Sequence, residues 1–190
     1  MKVTLFKPFE KYSESQLLLF GIIFLLIGSY VSSFCHANFD GFFDLHFSNY
    51  QLTFTELLAQ NLINIVVLFI CMYFAGFYRN KKTRLIDIFN TVLIARVPFY
   101  FLTLFNVTNA LSVDANLPID EITEFAMSNL LLLIPMTVFM ILIVVWMLAL
   151  LYNGYKIATN AKGNNSIILF IVALFAAEII SKLIIYKTIL

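Results

Sequence analysis

Charge is what this sequence has least of. Asp, Glu, Lys and Arg together make up 12% of the chain, about half the share of a soluble domain, while apolar residues reach 62%. A soluble core built from 190 residues could not hide that much apolar surface from water, but a bilayer solvates it. Cysteine is nearly missing: Cys35 and Cys71 make no disulfide framework. They fall at different levels of two apolar runs, beyond the roughly 7 Å between Cα atoms that a bridge tolerates, so two free thiols are expected. Only six glycines are present, which argues against close glycine-zipper packing. A net charge of +1 leaves no basic patch for nucleic acid. There is no His-Glu-x-x-His, no Gly-x-Ser-x-Gly, no phosphate-cradling glycine loop and no pair of aspartates in a shared apolar run. A non-enzymatic protein without a cofactor is therefore expected.

Long apolar runs are what the sequence does have. Crossing about 30 Å of hydrocarbon takes about 20 apolar residues. The stretches 16–34, 57–78, 85–105, 122–151 and 166–186 meet that requirement, and the fourth is overlong, implying tilt or protrusion. The first run follows Lys2, Lys7 and Lys11 as a signal peptide would. It is long, however, and Phe34 stands where a signal peptidase wants a small residue, so an uncleaved anchor is expected. Residues 1–15 read as an interfacial segment mixing aromatics with lysines. Residues 35–56, alternating around Asp40-Gly41, read as a short hairpin or outer cap.

The connections alternate in charge. Lys2, Lys7 and Lys11 precede the first run, Arg79, Lys81, Lys82 and Arg84 follow the second, and Lys156 and Lys162 follow the fourth. Segments 35–56 and 106–121 contain no Lys or Arg and carry Asp40, Asp44, Glu56, Asp114, Asp120 and Glu121. The positive-inside rule makes the basic side cytoplasmic, with the N-terminus inside and the C-terminus outside. The expected fold is thus all-α: a five-span bundle with a small outer cap, multi-pass in the cytoplasmic (inner) membrane. The basic hexapeptide 79–84 could also touch anionic headgroups. Five spans do not divide simply into the inverted repeats of many transporters.

Ionisable groups at membrane depth are the first functional candidates, because an unpaired one costs several kcal/mol in hydrocarbon. Arg96 falls about 17 Å, and Glu178 about 18 Å, from the cytoplasmic ends of their helices at about 1.5 Å per residue. Asn64 and Asn61 reach a similar level, so Arg96, Glu178, Asn64 and Asn61 are expected to form a polar cluster near the midplane. Such a cluster either fixes helix packing or handles a small anion or proton. Lys182, four residues from Glu178 on the same helical face, is a second candidate partner. Pro98 and Pro135 free the carbonyls of Ile94 and Leu131.

The segment 36–46 holds both histidines of the chain. His36, Asp40, Asp44 and His46 are weak candidates for a metal such as zinc, set against an interfacial cap in which Phe39, Phe42, Phe43 and Phe47 form an aromatic belt. Asn106-Val107-Thr108 is a glycosylation sequon, relevant only in a secretory pathway.

The stretch from Arg84-Leu85-Ile86-Asp87-Ile88-Phe89-Asn90-Thr91 to Ala95-Arg96-Val97-Pro98-Phe99 resembles the third-helix region of bacterial members of the YIP family. Asn38-Phe39-Asp40-Gly41, Asp44-Leu45-His46, Pro8-Phe9-Glu10-Lys11 and Tyr152-Asn153-Gly154-Tyr155-Lys156 are similar to the same group. The family is named for eukaryotic relatives that interact with Ypt/Rab GTPases. The resemblance implies five spans, a cytoplasmic N-terminus and an outward C-terminus. The eukaryotic members carry a long cytosolic N-terminal region, whereas fewer than twenty residues precede the first run here, and their Asp-Leu-Tyr-Gly-Pro-type signature is not found in this sequence, so GTPase binding is not among the expectations. Two functions are weighed: a membrane organiser binding lipid or partner helices of other membrane proteins, and a transporter or channel-like protein using Arg96 and Glu178.

Overall fold

The computed structural model describes residues 5–112 and 118–189, so Lys2 and Asp114 lie outside the described residues. Six α-helices are present among them: α1 (Glu14–Phe34), α2 (Phe54–Arg79), α3 (Leu85–Tyr100), α4 (Ile119–Ser128), α5 (Leu130–Thr159) and α6 (Asn164–Thr188). A 3-10 helix, Phe101–Asn106, prolongs α3 past Pro98. Five helices are long and apolar enough to cross a bilayer: α1, α2, α3 with its extension, α5 and α6.

Local chemistry sets the helix ends. Ser13 and Gln16 form a reciprocal capping box at the start of α1, and Thr53 and Glu56 form another at the start of α2. Asn160, at φ 50°, closes α5 in the left-handed conformation. The fourth apolar run does not begin where hydropathy alone puts it. Ser128 Oγ (3.0 Å) and Asn129 Nδ2 (2.9 Å) both donate to the Phe125 carbonyl, ending α4 before α5 starts at Leu130. The helix long and apolar enough to cross is therefore Leu130–Thr159. The preceding α4 buries nothing and carries Asp120, Glu121 and Glu124, as an amphipathic surface helix does.

Helix α3 is the hub, packed against α1, α2 and α5, with α6 laid along α2. Every residue from Asn90 to Tyr100 is buried, Asn90, Thr91 and Arg96 included. Two glycines let neighbours come close. A Cβ at Gly28 would overlap the Tyr100 ring, and one at Gly154 would overlap Thr91. Few as they are, the glycines do mediate close helix packing, because single small residues facing one bulky side chain suffice without a repeated motif.

The connections sort to two ends. At the basic end Arg79 donates to Ser166 Oγ (3.1 Å) and to the Lys162 carbonyl (3.3 Å), Asn80 to the Thr159 carbonyl (3.1 Å), and Arg84 pairs with Glu14 (2.5 Å). At the other end Gln51 donates to the Ser33 carbonyl (2.9 Å) and Asn106 to the Cys35 carbonyl (2.7 Å). The segment before α1 lies against α5 as a strap. Trp146 Nε1 donates to the Leu5 carbonyl (2.8 Å) and Asn153 Nδ2 to that of Phe6 (2.9 Å).

Candidate functional site: a loop locked around Arg96

Between α1 and α2 the chain forms a minimal antiparallel pair, β1 (Ala37–Asn38) with β2 (His46–Phe47), in register Ala37 to Phe47 and Asn38 to His46. The intervening residues do not lie flat as a cap. Phe39 and Phe42 are completely buried. The loop tip enters the bundle, carrying irregular backbone into a region that helices otherwise fill. Non-helical backbone at membrane depth is tolerated only where protein satisfies its polar groups.

Side chains from three helices do so. Phe39 N–H donates to Gln60 Oε1 (2.9 Å), and its carbonyl accepts from Asn64 Nδ2 (3.0 Å), both from α2. The Phe42 carbonyl accepts from Arg96 of α3. Phe43 N–H donates to Glu178 Oε2 of α6 (2.9 Å). A Cβ at Gly41 would overlap the Glu178 carboxylate, so glycine there is a condition of the close approach.

Arg96 is fully buried. Its other terminal nitrogen donates to Asn61 Oδ1 (3.3 Å), and Asn61 in turn donates to Ser29 Oγ of α1 (3.1 Å). The guanidinium faces four rings, with centroids 4.5 Å (Phe99), 4.9 Å (Phe39), 5.1 Å (Phe42) and 5.8 Å (Tyr100) from Cζ. Aromatic faces stabilise a desolvated cation by about 2 kcal/mol, and a planar, weakly hydrated guanidinium suits such a cage better than an ammonium.

Arg96, Asn64 and Glu178 thus converge on the loop backbone, and Asn61 joins them through its bond from Arg96. No Arg96–Glu178 ion pair occurs among the described residues. Glu178 is shared between Phe43 N–H and Lys182, whose Nζ lies 3.8 Å from it and 2.6 Å from Asp44. Pro98 supplies no acceptor to Arg96, which reaches the loop instead. Sequence reasoning missed Gln60 and the four-ring cage, and placed Phe39 and Phe42 in an aromatic belt. Their burial follows from the loop's insertion. The available signal was three amides within two turns of one apolar helix, Gln60, Asn61 and Asn64, facing a basic-free, Phe-rich connection.

The metal candidates are arranged differently. His46 Nδ1 pairs with Asp40 Oδ2 (3.1 Å), Asp44 pairs with Lys182, and His36 occupies a left-handed turn at φ 49°. Among the described residues no three His, Cys, Asp or Glu side chains gather as a ligand set. The hydrogen bond that His46 donates to the Asp40 carboxylate pushes its pKa up, opposed by partial burial and nearby Lys182. Cys35 and Cys71 are both free thiols. Asn106 of the sequon is fully buried, its amide held by the Cys35 carbonyl, Ser112 Oγ and Leu111 N–H. Compared with protein-family models, curated proteins and solved structures, the chain matches none.

Proposed function

We propose that this is a five-span protein of the cytoplasmic membrane, with its N-terminus inside and its C-terminus outside. In this reading it works without catalysis as a membrane organiser that engages lipid or partner helices. The gathering of Arg79, Arg84 and Lys162 at one end of the bundle supports the orientation through the positive-inside rule. The resemblance to the YIP family, carried by the motifs around Arg96 and the loop, fits the same architecture and stands on those motifs alone.

The observation that carries the organiser reading is the enclosure of Arg96. A transported anion or proton needs a wet approach to the charge it uses. Here four rings and the inserted loop surround the guanidinium on a fully buried site. Its two terminal nitrogens hold the Phe42 carbonyl and Asn61 Oδ1, while Nε has no partner among the described residues. That is the work of a structural lock, and it leaves function to the outer faces of the bundle.

Proteoliposomes loaded with pH- or chloride-sensitive dye test the reading. Flux no greater than in empty vesicles is expected. Proton or chloride flux that disappears in Arg96→Ala would overturn the organiser reading in favour of transport.

A further inference from the structure

Helices α1 and α5 flank α3 without closing over it, and the crevice between them runs from the basic end towards the middle of the bundle. Its deeper part is an apolar groove of about 560 Å³, walled by Leu17, Phe20 and Phe24 of α1 and Trp146 of α5, and floored by Ile94 and Val97 of α3. At the basic end a second cavity of about 470 Å³ shares Tyr12 and Leu17 with the groove and is more polar than it, with Glu14, Asp87, Asn90 and Thr91 beside Phe9, Ile157 and Ala158. Both volumes fall in the range of ligand sites. The strap passes along the groove, clipped to α5 by the bonds of Trp146 and Asn153.

This second cavity has one unmet demand. Asn90 is almost completely buried. Its Nδ2 donates to the Glu14 carbonyl (3.0 Å), while Oδ1 has no partner among the described residues. A buried acceptor left unpaired calls for a donor. The neighbouring acidic groups agree: Glu14, paired with Arg84 at 2.5 Å, and Asp87, 3.9 Å from the same guanidinium, both border the cavity. Thr91 spends its hydroxyl proton on the Asp87 carbonyl (2.7 Å). The cavity therefore offers acceptors, two of them carboxylates, and suits a cation bearing N–H groups.

We infer that this crevice binds one bilayer lipid with a primary ammonium head. The ammonium reaches Asn90 Oδ1 and the carboxylates, and one acyl chain lies in the groove beneath the strap. The inference rests on the membrane-organiser reading and names the lipid class for it. Choline heads lack N–H donors, and glycerol heads bring a net negative charge towards Glu14 and Asp87. Each is disfavoured by one identifiable term.

Trp146, the single tryptophan, lines the groove and serves as the probe. The protein is reconstituted in vesicles containing lipid brominated at mid-chain, with ethanolamine, choline or glycerol heads at equal mole fraction. The ethanolamine lipid is expected to reach half-maximal quenching of Trp146 at a mole fraction at least threefold lower than the choline or glycerol lipid. Asn90→Leu and Asp87→Asn are expected to erase that preference while leaving the quenching by choline lipid unchanged, which shows that the variants remain folded in the bilayer. Equal quenching by all three heads in the natural protein would overturn the inference and leave the membrane reading intact. Absence of quenching by any of them would overturn both.

Discussion

Replacing Arg96 by methionine keeps most of the aliphatic stem and removes the charged plane. The Phe42 carbonyl and Asn61 Oδ1 then lose their donor, and a buried acceptor left unpaired costs about 1–3 kcal/mol. The rings of Phe99, Phe39, Phe42 and Tyr100 lose a desolvated cation, about 2 kcal/mol more. The opposing effect is relief from burying a charge, several kcal/mol in principle. Polar contacts in membrane bundles also come out smaller than vacuum logic suggests, at about 0.6 kcal/mol on average. Removing the member that holds both the loop carbonyl and Asn61 still costs more than it relieves, so a net loss of about 2 kcal/mol is expected. Equilibrium unfolding in mixed micelles, followed through Trp146 fluorescence, measures it. Adding Asn61→Leu removes one orphaned acceptor, so the double variant should be less destabilised than the sum of the singles by about 1 kcal/mol. An Arg96→Met protein as stable as the natural one, with strictly additive effects of Asn61→Leu, would refute the lock.

Two further outcomes follow from the packing and from the cap. Gly28→Ala forces the Tyr100 ring aside and should cost about 1–3 kcal/mol, while Ile27→Ala on the exposed face should stay within about 0.5 kcal/mol; thermal unfolding of both in one detergent decides this. His46 faces Asp40, Asp44 and Lys182, and its pKa is raised by the Asp40 hydrogen bond. Its contribution is therefore fully present below the unfolded value of about 6.5 and fades as pH climbs through the higher folded value. Because both partners are partly exposed, the effect should not exceed about 1 kcal/mol, and His46→Gln should flatten this part of the pH–stability curve.

Hydropathy is a local property, and the helices it reveals were legible to within a few residues: 16–34 against Glu14–Phe34, and 85–105 against Leu85–Asn106. The fourth stretch slipped because Ile122, Phe125 and Met127 extend the apolar run beyond the polar break at Ser128 and Asn129. A window average cannot distinguish an amphipathic turn from a crossing. Arg96, Glu178, Asn61 and Asn64 stood out as polar residues in apolar company, and all four do converge. What they converge upon was hidden. The contact from Arg96 to Phe42 spans 54 positions, and no periodicity encodes the insertion of a loop. The same limit hid the crevice, since α1, α3 and α5 meet only through tertiary packing.

The most direct test of the inserted loop is residue-resolved hydrogen exchange of the natural protein in lipid nanodiscs, read at the amides of Phe39 and Phe43. With these donors held by Gln60 and Glu178, exchange as slow as that of the mid-α3 amides around Ile94 is expected. Exchange as fast as at the exposed Tyr50 and Gln51 would show the loop lying outside the bundle and would contradict the account.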